Sequence, residues 1–598
     1  MKTRPSIYQL CSITMAVMLI VFTLGCSSGS NDIFDEEENT SNTQTNPSGN
    51  SGSVSFNLND LSSYTIAVDS TTSLSETDNV VTDNEDYVEN ATFNSKVYVH
   101  YNGGEAAVTG SVDGVTATVS GADVTINSTV AGVDYVLSGT TTDGSLKIYS
   151  KKKYRLDLNG VNIKNADGPA INDQSGKRVY VVLNAGTTNT LTDGTSYTKS
   201  DENQKGTLFA EGKLIFSGTG KLRVYANTKA GISSDDYIIV RPGTNIYVKS
   251  TAGNGIKAND AITILGGIVN IETTATASKG ISSDGTVAIS GGRTTIITSG
   301  GGDYDSDEKD VSACAGVKAD STMTVSGGEL YCLSKGNGGK GISTDQDLTI
   351  SGGTVKVICE GDTYQYGNYD TKPKAIKSDG AVTISGGTIW FRSIKSDGAE
   401  GIESKSTMTI SGGEIKGYTY DDCINSSKDM TISGGTIEVF ALGNDGIDSN
   451  GNLYIKGGTI TAYGTSSPEE GIDVNSEGGY KMYITGGTVI GVGGGASTPS
   501  STTGSQPTMI YSGNISQGTT VSLNDGSSNT VLSFVMVGSY NSCTILVSSP
   551  NLSSGTSYSL YGGSNLLSSF TATVPYSSSG NAGGNMGGGP GGGRPGGR

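Results

Sequence analysis

Histidine and positive charge are scarce in this chain, and both shortages exclude classes of function. The 598 residues include a single histidine, His100, and 39 lysines and arginines against 58 aspartates and glutamates, for a net charge of −19. With a single histidine, the chain has almost no residues from which to build histidine-ligated metal sites or Ser-His-Asp and Cys-His catalytic sites. Nucleic-acid binding and adhesion to acidic membranes both need a basic surface. We therefore expect no nucleic-acid partner.

Cysteine is also sparse, and its spacing matches neither a metal-binding motif nor a disulfide framework. Five of the 7 cysteines lie in the body of the chain: Cys314, Cys332, Cys359, Cys423 and Cys543. An odd number at irregular spacing provides neither a CxxC metal motif nor a disulfide framework. We predict that these five side chains are small, buried and apolar.

The apolar run at residues 13–24 is too short and wrongly flanked for a stable membrane span, and it predicts a secretory signal peptide over residues 1–25. The run ends at Leu24-Gly25-Cys26, which resembles the bacterial lipobox. That resemblance implies that Cys26 is acylated and becomes the mature N-terminus, although a cysteine can also abut a signal peptide by coincidence. The protein would then be attached to the membrane only through its N-terminal lipid.

Residues 26–53 are acidic and then polar, which predicts a flexible tether. The acidic run at residues 35–38 resembles the surface-export signal of some lipoproteins, while a plain acidic linker explains it nearly as well. We expect the protein in the cell envelope, as a membrane-anchored lipoprotein on the outer surface.

Glycine is abundant, and it punctuates an internal repeat. The 89 glycines accompany a recurring phrase, Thr-Ile-Ser-Gly-Gly-Thr-Ile and close variants. The core positions Ile232, Ile256 and Ile281 are 24 and 25 residues apart. The units alternate with a period of two and show no helical periodicity, and such repeats bury their apolar faces only against their neighbours. The pattern predicts an all-β protein, a right-handed parallel β-helix over residues 112–497.

The periodicity stops on both sides of this region. Residues 54–111 contain strand-like segments and predict an N-terminal β cap. Residues 498–576 alternate like a small β unit that would cap the C-terminal end, because an open solenoid edge invites aggregation. Residues 577–598 are glycine-rich and predicted to be disordered. We expect a monomer.

Several phrases resemble a family of extracellular carbohydrate-binding parallel β-helix proteins. The succession at residues 156–161, 168–171 and 189–194 is more specific than the Ser-Gly-Gly-Thr repeat, which occurs in many solenoids. The resemblance spans roughly residues 112 to 497, and residues 548–552 resemble the C-terminal cap of that family. It implies binding of cellulose-like and acidic polysaccharides, with calcium, in a fold similar to that of a pectate lyase.

Stacking places equivalent residues about 4.8 Å apart, so acidic residues at fixed repeat positions form ladders. Two residues before the core isoleucine stand Glu400, Asp422, Asp445 and Glu470, and one residue after it stand Glu403, Asn425, Asp448 and Asp473. Like charges at this separation repel, and oxygen ligands without histidine or thiolate favour Ca²⁺. The candidate calcium ligands are Asp422, Asp445, Asp448, Glu470 and Asp473. A solvated acidic edge, partly offset by Lys405 and Lys428, is the alternative.

Two coils are longer than the rest, and both carry the insertion at the same point of the repeat. The core positions Ile281 and Val317 are 36 residues apart, and Ile342 and Ile376 are 34 residues apart. Both inserted loops therefore emerge on one side of the solenoid, two coils apart. The first loop contains Asp303, Asp305 and Asp307, spaced like the start of an EF-hand but without its later ligands. These three are further candidate calcium ligands, with a solvated loop as the alternative.

A third ladder combines aromatic and cationic residues at the outward position after Gly-Gly: Tyr331, Lys356, Trp390 and Lys416. The pattern predicts that Trp390, the only tryptophan, faces water. Sugar rings stack on aromatic faces while lysines hold hydroxyls or carboxylates, so this ladder is a candidate glycan track. The loop residues Tyr304, Tyr364, Tyr366 and Tyr369 are candidates to wall the same groove. Cross-strand stacking that only stabilises the sheet is the alternative.

Three interpretations of function remain. The favoured one is a non-catalytic, calcium-dependent polysaccharide-binding protein; a net charge of −19 means that acidic glycans would need bridging cations or local lysines. The second is a calcium-dependent pectate-type lyase, suggested by fold analogy, with Lys340, Lys374 and Lys377 as candidate bases. The third is a surface adhesin that binds a protein partner.

Overall fold

The structure, a computed structural model, describes residues 52–54 (backbone only), 57–69, 74–540 and 542–580. The predicted signal peptide, Cys26, nearly all of the tether and the glycine-rich tail after residue 580 lie outside the described residues. In the described part, no helix has the length and apolarity to cross a membrane.

A β-solenoid of about 15 turns of parallel strands forms the body of the molecule and confirms the predicted fold class. An ordinary turn contributes one strand to each of three sheets, here named the first, second and third faces. The first face has 15 strands, of which the first two form a hairpin: Val115–Ser120, Asp123–Ser128, Ser145–Ser150, Ile171–Asp173, Gly206–Ala210, Ala230–Ser234, Ile256–Ala258, Lys279–Ser283, Ala315–Ala319, Lys340–Thr344, Lys374–Ser378, Glu400–Ser404, Ile424–Ser426, Ile447–Ser449 and Ile472–Val474.

The other two faces are joined at a sharp corner. The second face contains Val179–Leu183, Leu214–Gly218, Tyr237–Val240, Ala261–Ile264, Thr286–Ile289, Met323–Val325, Leu348–Ile350, Val382–Ile384 and Met408–Ile410. The third face contains Thr188–Thr192, Lys221–Ala226, Asn245–Ser250, Ile268–Thr273, Arg293–Thr298, Glu329–Ser334, Thr354–Cys359, Thr388–Ser393 and Glu414–Thr419. Five strands run from the second face into the third: Val133–Thr141, Tyr154–Lys164, Met430–Ala441, Leu453–Tyr463 and Met482–Gly493.

The repeated phrase explains both the core and the corner. Ile232, Ile256 and Ile281 pair in register on the first face, and each is at most 1% exposed. The second glycine of Gly-Gly turns the chain from the second face to the third with a positive φ, as at Gly413 (φ 88°). A Cβ on the preceding Gly412 would lie 2.5 Å from a backbone oxygen of the coil below. Only glycine satisfies both requirements.

Short β segments lie at the two ends. At the N-terminal end, the hairpin Ser95–Asn102 and Glu105–Thr109 pairs with Val133–Thr141. At the C-terminal end, Cys543–Ser548, Thr508–Gly513 and Tyr576–Gly580 extend the third face. A separate five-stranded sheet contains Gly52–Val54, Thr530–Val535, Thr520–Asn524, Ser557–Gly562 and Asn565–Thr571. The strand Tyr576–Gly580 reaches into the segment that the sequence predicted to be disordered.

Residues 57–69 and 74–94, here called the strap, run along the side of the solenoid. The strap includes a helix, Leu58–Ser63, and a 3₁₀ turn, Val88–Asn90. Its helix packs against Thr388–Ser393 and Glu414–Thr419 near one end, while Glu85 and Asp86 bind Arg178 near the other. Of the predicted cap over residues 54–111, the hairpin at residues 95–109 lies at the N-terminal end, whereas the strap lies along the side of the solenoid.

Charge pairing explains why the strap lies there. Arg241 projects from the second face and is only 1% exposed, because Asp78 (2.7 Å) and Glu89 (2.8 Å) of the strap bind its guanidinium and the ring of Tyr87 lies 4.3 Å from it. Lone arginines at irregular intervals gave no repeat pattern from which this docking could be predicted.

The cysteine prediction is confirmed, since all five described cysteines are buried and unpaired. The two insertions form hairpins, Asp303–Asp305 with Asp310–Ser312 and Tyr364–Tyr366 with Tyr369–Thr371.

Candidate glycan and metal sites

Tyr331, Lys356, Trp390 and Lys416 form a continuous row on the third face, here called the aromatic–lysine row. Consecutive members pair in register across four strands, which confirms the alignment predicted from the repeat spacing. The Lys356 Nζ atom lies 5.7 Å from the ring centroid of Tyr331 and 4.7 Å from that of Trp390. The Lys416 Nζ atom lies 5.7 Å from Trp390 on its other side. Each cation therefore faces an aromatic ring.

The strap covers this row, so the prediction that Trp390 faces water is wrong. Trp390 is half-buried, because the ring of Tyr64 meets it edge-on at a centroid distance of 6.2 Å. The Lys356 Nζ atom also lies 4.4 Å from the Tyr64 centroid. Beside these rings, Ile66 of the strap packs with Leu333, Ile358 and other apolar residues. Tyr64 lies outside the repeats, so repeat spacing could not have revealed its contact with Trp390.

The two lysines of the row differ in how far their charge is already balanced. Lys416 is bound by Glu414 at 2.9 Å and Glu438 at 3.3 Å. Lys356 has no carboxylate within ion-pair distance in the described part of the chain, and its contacts are with the three rings around it. Lys356 is therefore the member of the row with charge to offer a ligand.

The four loop tyrosines gather on the two hairpins. Tyr304 stacks on Tyr366 with a centroid distance of 4.3 Å and lies 5.2 Å from Tyr369. The ring of Tyr364 instead lies next to Gly302, at the base of the first hairpin. The two insertions thus meet, as their common position in the repeat indicated. Their ring contacts are with one another and not with Trp390.

The structure does not bring the carboxylates of Asp303, Asp305 and Asp307 together. Asp305 accepts hydrogen bonds from the backbone N–H groups of Asp307 (2.8 Å) and Glu308 (3.1 Å), which closes the turn of the first hairpin. Asp303 accepts one from Thr276. Within the described residues, these three form no cluster of converging carboxylate oxygens.

Asp445, Asp448 and Asp473 do converge on the first face, with carboxylate oxygens that all lie within 4.8 Å of one another. Asp445 is buried and the other two are half-buried. Burial, reinforced by the neighbouring Asp473, raises the pKa of Asp445 to about 9 and that of Asp448 to about 7. No lysine or arginine forms an ion pair with this trio in the described part of the chain. An oxygen-only, anionic cluster of this kind fits Ca²⁺.

The column that precedes the core isoleucine has a structural role of its own. Asp422 accepts the backbone N–H of Asp445 at 3.1 Å, Asp445 accepts that of Glu470, and Glu470 accepts that of Ser497. Each carboxylate thus satisfies a backbone donor of the next coil. Asp422 and Glu470 lie in the ladder as predicted, but outside the converging trio. Burial raises the pKa of Glu470 to about 8.

Lys374, which the sequence indicated only as a candidate base, neutralises the start of the same ladder. Lys374 lies in the coil before Glu400, and its Nζ atom is 2.5 Å from Glu400 and 3.5 Å from Glu403. Register pairing of Lys374 with Glu400 was the signal that could have found it. One coil earlier, Lys340 pairs in register with Lys374 and donates to Thr371 of the second hairpin at 3.1 Å. Burial, with Lys377 and Lys374 nearby, lowers the pKa of Lys340 to about 8.

Parts of the solenoid are similar to known proteins. Residues 120–284 and 335–446 match the model of a family described as "Carbohydrate-binding domain-containing protein". A protein of Acetivibrio thermocellus with the same description is 32% identical over 118 residues, 19% of this chain and 41% of that protein, so the chain matches about two fifths of the relative's length. A solved structure of a polysaccharide lyase-like protein from C. thermocellum is 25% identical, with a TM-score of 0.34 over 48% of this chain and 96% of that one. The resemblance indicated by the repeated phrases is thus confirmed, and over most of its solenoid this chain is similar to the carbohydrate-binding domain-containing protein family.

Proposed function

We propose that this chain is a lipid-anchored polysaccharide-binding protein of the outer cell surface, that calcium supports the binding, and that the protein acts as a monomer without cleaving its ligand. The family similarity of the solenoid supports carbohydrate binding. The anchor at Cys26 and the surface location are supported by the sequence pattern. The observation that carries the proposal is the aromatic–lysine row, because its members face outward in register on four consecutive strands.

The row offers the chemistry that an extended glycan needs. Equivalent residues recur about every 4.8 Å, so aromatic and cationic groups alternate along a line that a sugar chain can follow. The Tyr64 ring already lies against Trp390 and Lys356, in the place where a sugar ring would stack. A glycan on the row therefore competes with Tyr64 of the strap.

Calcium would be held by Asp445, Asp448 and Asp473. When bound, the ion supplies the positive charge that this trio lacks, and it can fix the coils or bridge to sugar carboxylates. Such bridging would give a chain with a net charge of −19 a route to acidic glycans. Neutral glycans need no bridge.

The test is retention of the full chain on insoluble cellulose and on immobilised polygalacturonate, with calcium and with a chelator. We expect the wild-type protein to be retained and Trp390→Ala to bind several-fold more weakly. Tyr98→Ala is the matched control, because Tyr98 is 45% exposed on the N-terminal hairpin, far from the row in the fold. Retention on no glycan would reject the proposal and favour an adhesin for a protein partner.

A second candidate function is a calcium-dependent polysaccharide lyase, and Lys340 is the observation that favours it. A lysine whose pKa is lowered to about 8 can accept a proton near neutral pH, and it lies on the same face as the carboxylate trio, four strands before the strand of Asp448. Incubation with polygalacturonate and calcium, followed by ultraviolet absorbance of unsaturated products, decides between the two. Product that forms with the wild-type protein and not with Lys340→Met would establish the lyase.

A further inference from the structure

A groove of about 570 Å³ lies on the second face near the C-terminal end of the solenoid. Two segments line it: Tyr454, Lys456, Tyr483 and Thr485 from the last two long strands, and the loop 501–503. Backbone bonds hold that loop beside the last strand, from Ser500 to Met482 and from Gln506 to Ile484. The groove is therefore built from a rigid sheet and a loop that is bonded to it on both sides.

Two tyrosines form its aromatic wall. Tyr454 and Tyr483 pair in register, and their rings are nearly parallel, with centroids 5.4 Å apart and an interplanar angle of 10°. Cross-strand stacking accounts for the pair itself. It does not account for the space left open between the pair and the loop, which a ligand can enter.

The remaining lining groups are hydroxyls and one cation. Thr485 and the loop side chains Ser501, Thr502 and Thr503 contribute hydroxyls, and the loop residues are exposed. The Lys456 Nζ atom lies 5.5 Å from the Tyr454 centroid, and Lys456 is exposed. None of the seven lining residues carries a carboxylate. An aromatic wall that faces several neutral donors and acceptors suits a ligand that is itself rich in hydroxyls and uncharged.

The groove is separate from the aromatic–lysine row. The row lies on the third face, whereas the groove opens on the second face in later coils. The strap binds Arg178, Arg241, the Trp390 neighbourhood and Arg392, and none of these lines the groove. The groove is thus open while Tyr64 covers the row.

We infer that this groove is a second glycan-binding site, specific for a neutral polysaccharide chain. The inference rests on the proposed function, and it assigns a ligand class to a different place on the molecule. In line with Tyr454, the preceding coils present Thr431, Thr409 and Thr383 at the same outward position. A chain seated on the tyrosines can therefore continue along a column of hydroxyl groups.

The experiment titrates the full chain with cellohexaose and with oligogalacturonate, by calorimetry and by tryptophan fluorescence. Trp390 is the only tryptophan, so its emission reports on the row and not on the groove. We expect Tyr483→Ala to weaken cellohexaose binding at least tenfold and to leave oligogalacturonate binding unchanged. The part of the cellohexaose heat that Tyr483→Ala removes should have no counterpart in the change of Trp390 emission.

Two further variants keep the test decisive. Tyr480→Ala is the matched control, since Tyr480 is 42% exposed in the same coil and does not line the groove. Thr502→Leu narrows the groove from an exposed loop position without adding a second tryptophan, so it should weaken cellohexaose binding even if Tyr483→Ala does not fold.

The outcomes separate the inference from the proposed function. If the wild-type chain binds cellohexaose and both groove variants bind it equally well, the groove inference is wrong while polysaccharide binding stands. If the variants lose oligogalacturonate and cellohexaose alike, the groove is not specific for neutral chains. If the wild-type chain binds neither sugar, the proposed function is wrong, and the groove inference that rests on it is wrong as well.

Discussion

Replacement of Asp448 by asparagine should change the stability of the last coils in opposite directions with and without calcium. The side chain shares a cluster with Asp445 and Asp473 whose carboxylate oxygens lie within 4.8 Å of one another. Without an ion, one carboxylate fewer means less repulsion. With an ion, one ligand fewer means weaker binding. A purely structural acidic edge predicts no such reversal.

The magnitude follows from the separation of the charges. At 4.8 Å and an effective dielectric constant of about 20, two ionised carboxylates repel by about 3 kcal/mol. Because burial raises the pKa of Asp445 to about 9, one proton stays in the cluster near pH 8 and removes part of that repulsion. We therefore expect Asp448→Asn to stabilise the calcium-free coils by about 2 kcal/mol. In saturating calcium the binding free energy adds to this stability, so a hundredfold loss of affinity, which costs about 2.7 kcal/mol, outweighs the gain and reverses the sign.

Hydrogen exchange measures this effect locally. The amides of Ile447–Ser449 and Ile472–Val474 should exchange more slowly in Asp448→Asn than in the wild-type protein when a chelator is present at pH 8, and faster when calcium is present. Glu477→Gln is the control, because this exposed carboxylate in the same region changes the net charge equally without entering the trio.

Two results would refute the reasoning. Calcium that leaves the exchange of the wild-type strands unchanged would show that the trio holds no ion. Identical behaviour of Asp448→Asn and Glu477→Gln would show that the trio does not act as a cluster.

Three further perturbations test other parts of the structure. Tyr64→Ala should expose Trp390, seen as a red shift of its emission, and strengthen glycan binding to the row; an unchanged spectrum would contradict the covering contact. Burial raises the pKa of Asp173 from 3.8 to about 8, so the folded state retains a proton and stability should fall as the pH rises from about 4 to 8. Asp173→Asn should flatten that decline in denaturant titrations at pH 5 and 8. Gly417→Ala would place a Cβ 2.1 Å from the Phe391 ring and should destabilise by about 1–3 kcal/mol, read as a lower melting temperature.

Repeat spacing was sufficient to predict contacts wherever the coils stack regularly. Tyr331 and Trp390 fall on one line, and the two insertions meet through Tyr304 and Tyr366, as the sequence indicated. Repeat spacing did not predict contacts made by residues outside the repeats, such as the contact of Tyr64 with the solenoid. It also could not distinguish a carboxylate that caps a backbone N–H, as Asp422 does, from one that faces its neighbours.

The sequence by itself determined the parallel β-helix, the inward isoleucines and the columns of equivalent side chains, because a period-two pattern repeated at a nearly constant interval admits one way of stacking. Only the tertiary structure decided which of these columns of side chains are accessible to a ligand. The acidic strap binds Arg178 and Arg241 on the outside of the solenoid, and this pairing covers Trp390 while Tyr454 and Tyr483 stay accessible. Such docking depends on long-range charge pairing between segments without a common period, and no local pattern encodes it.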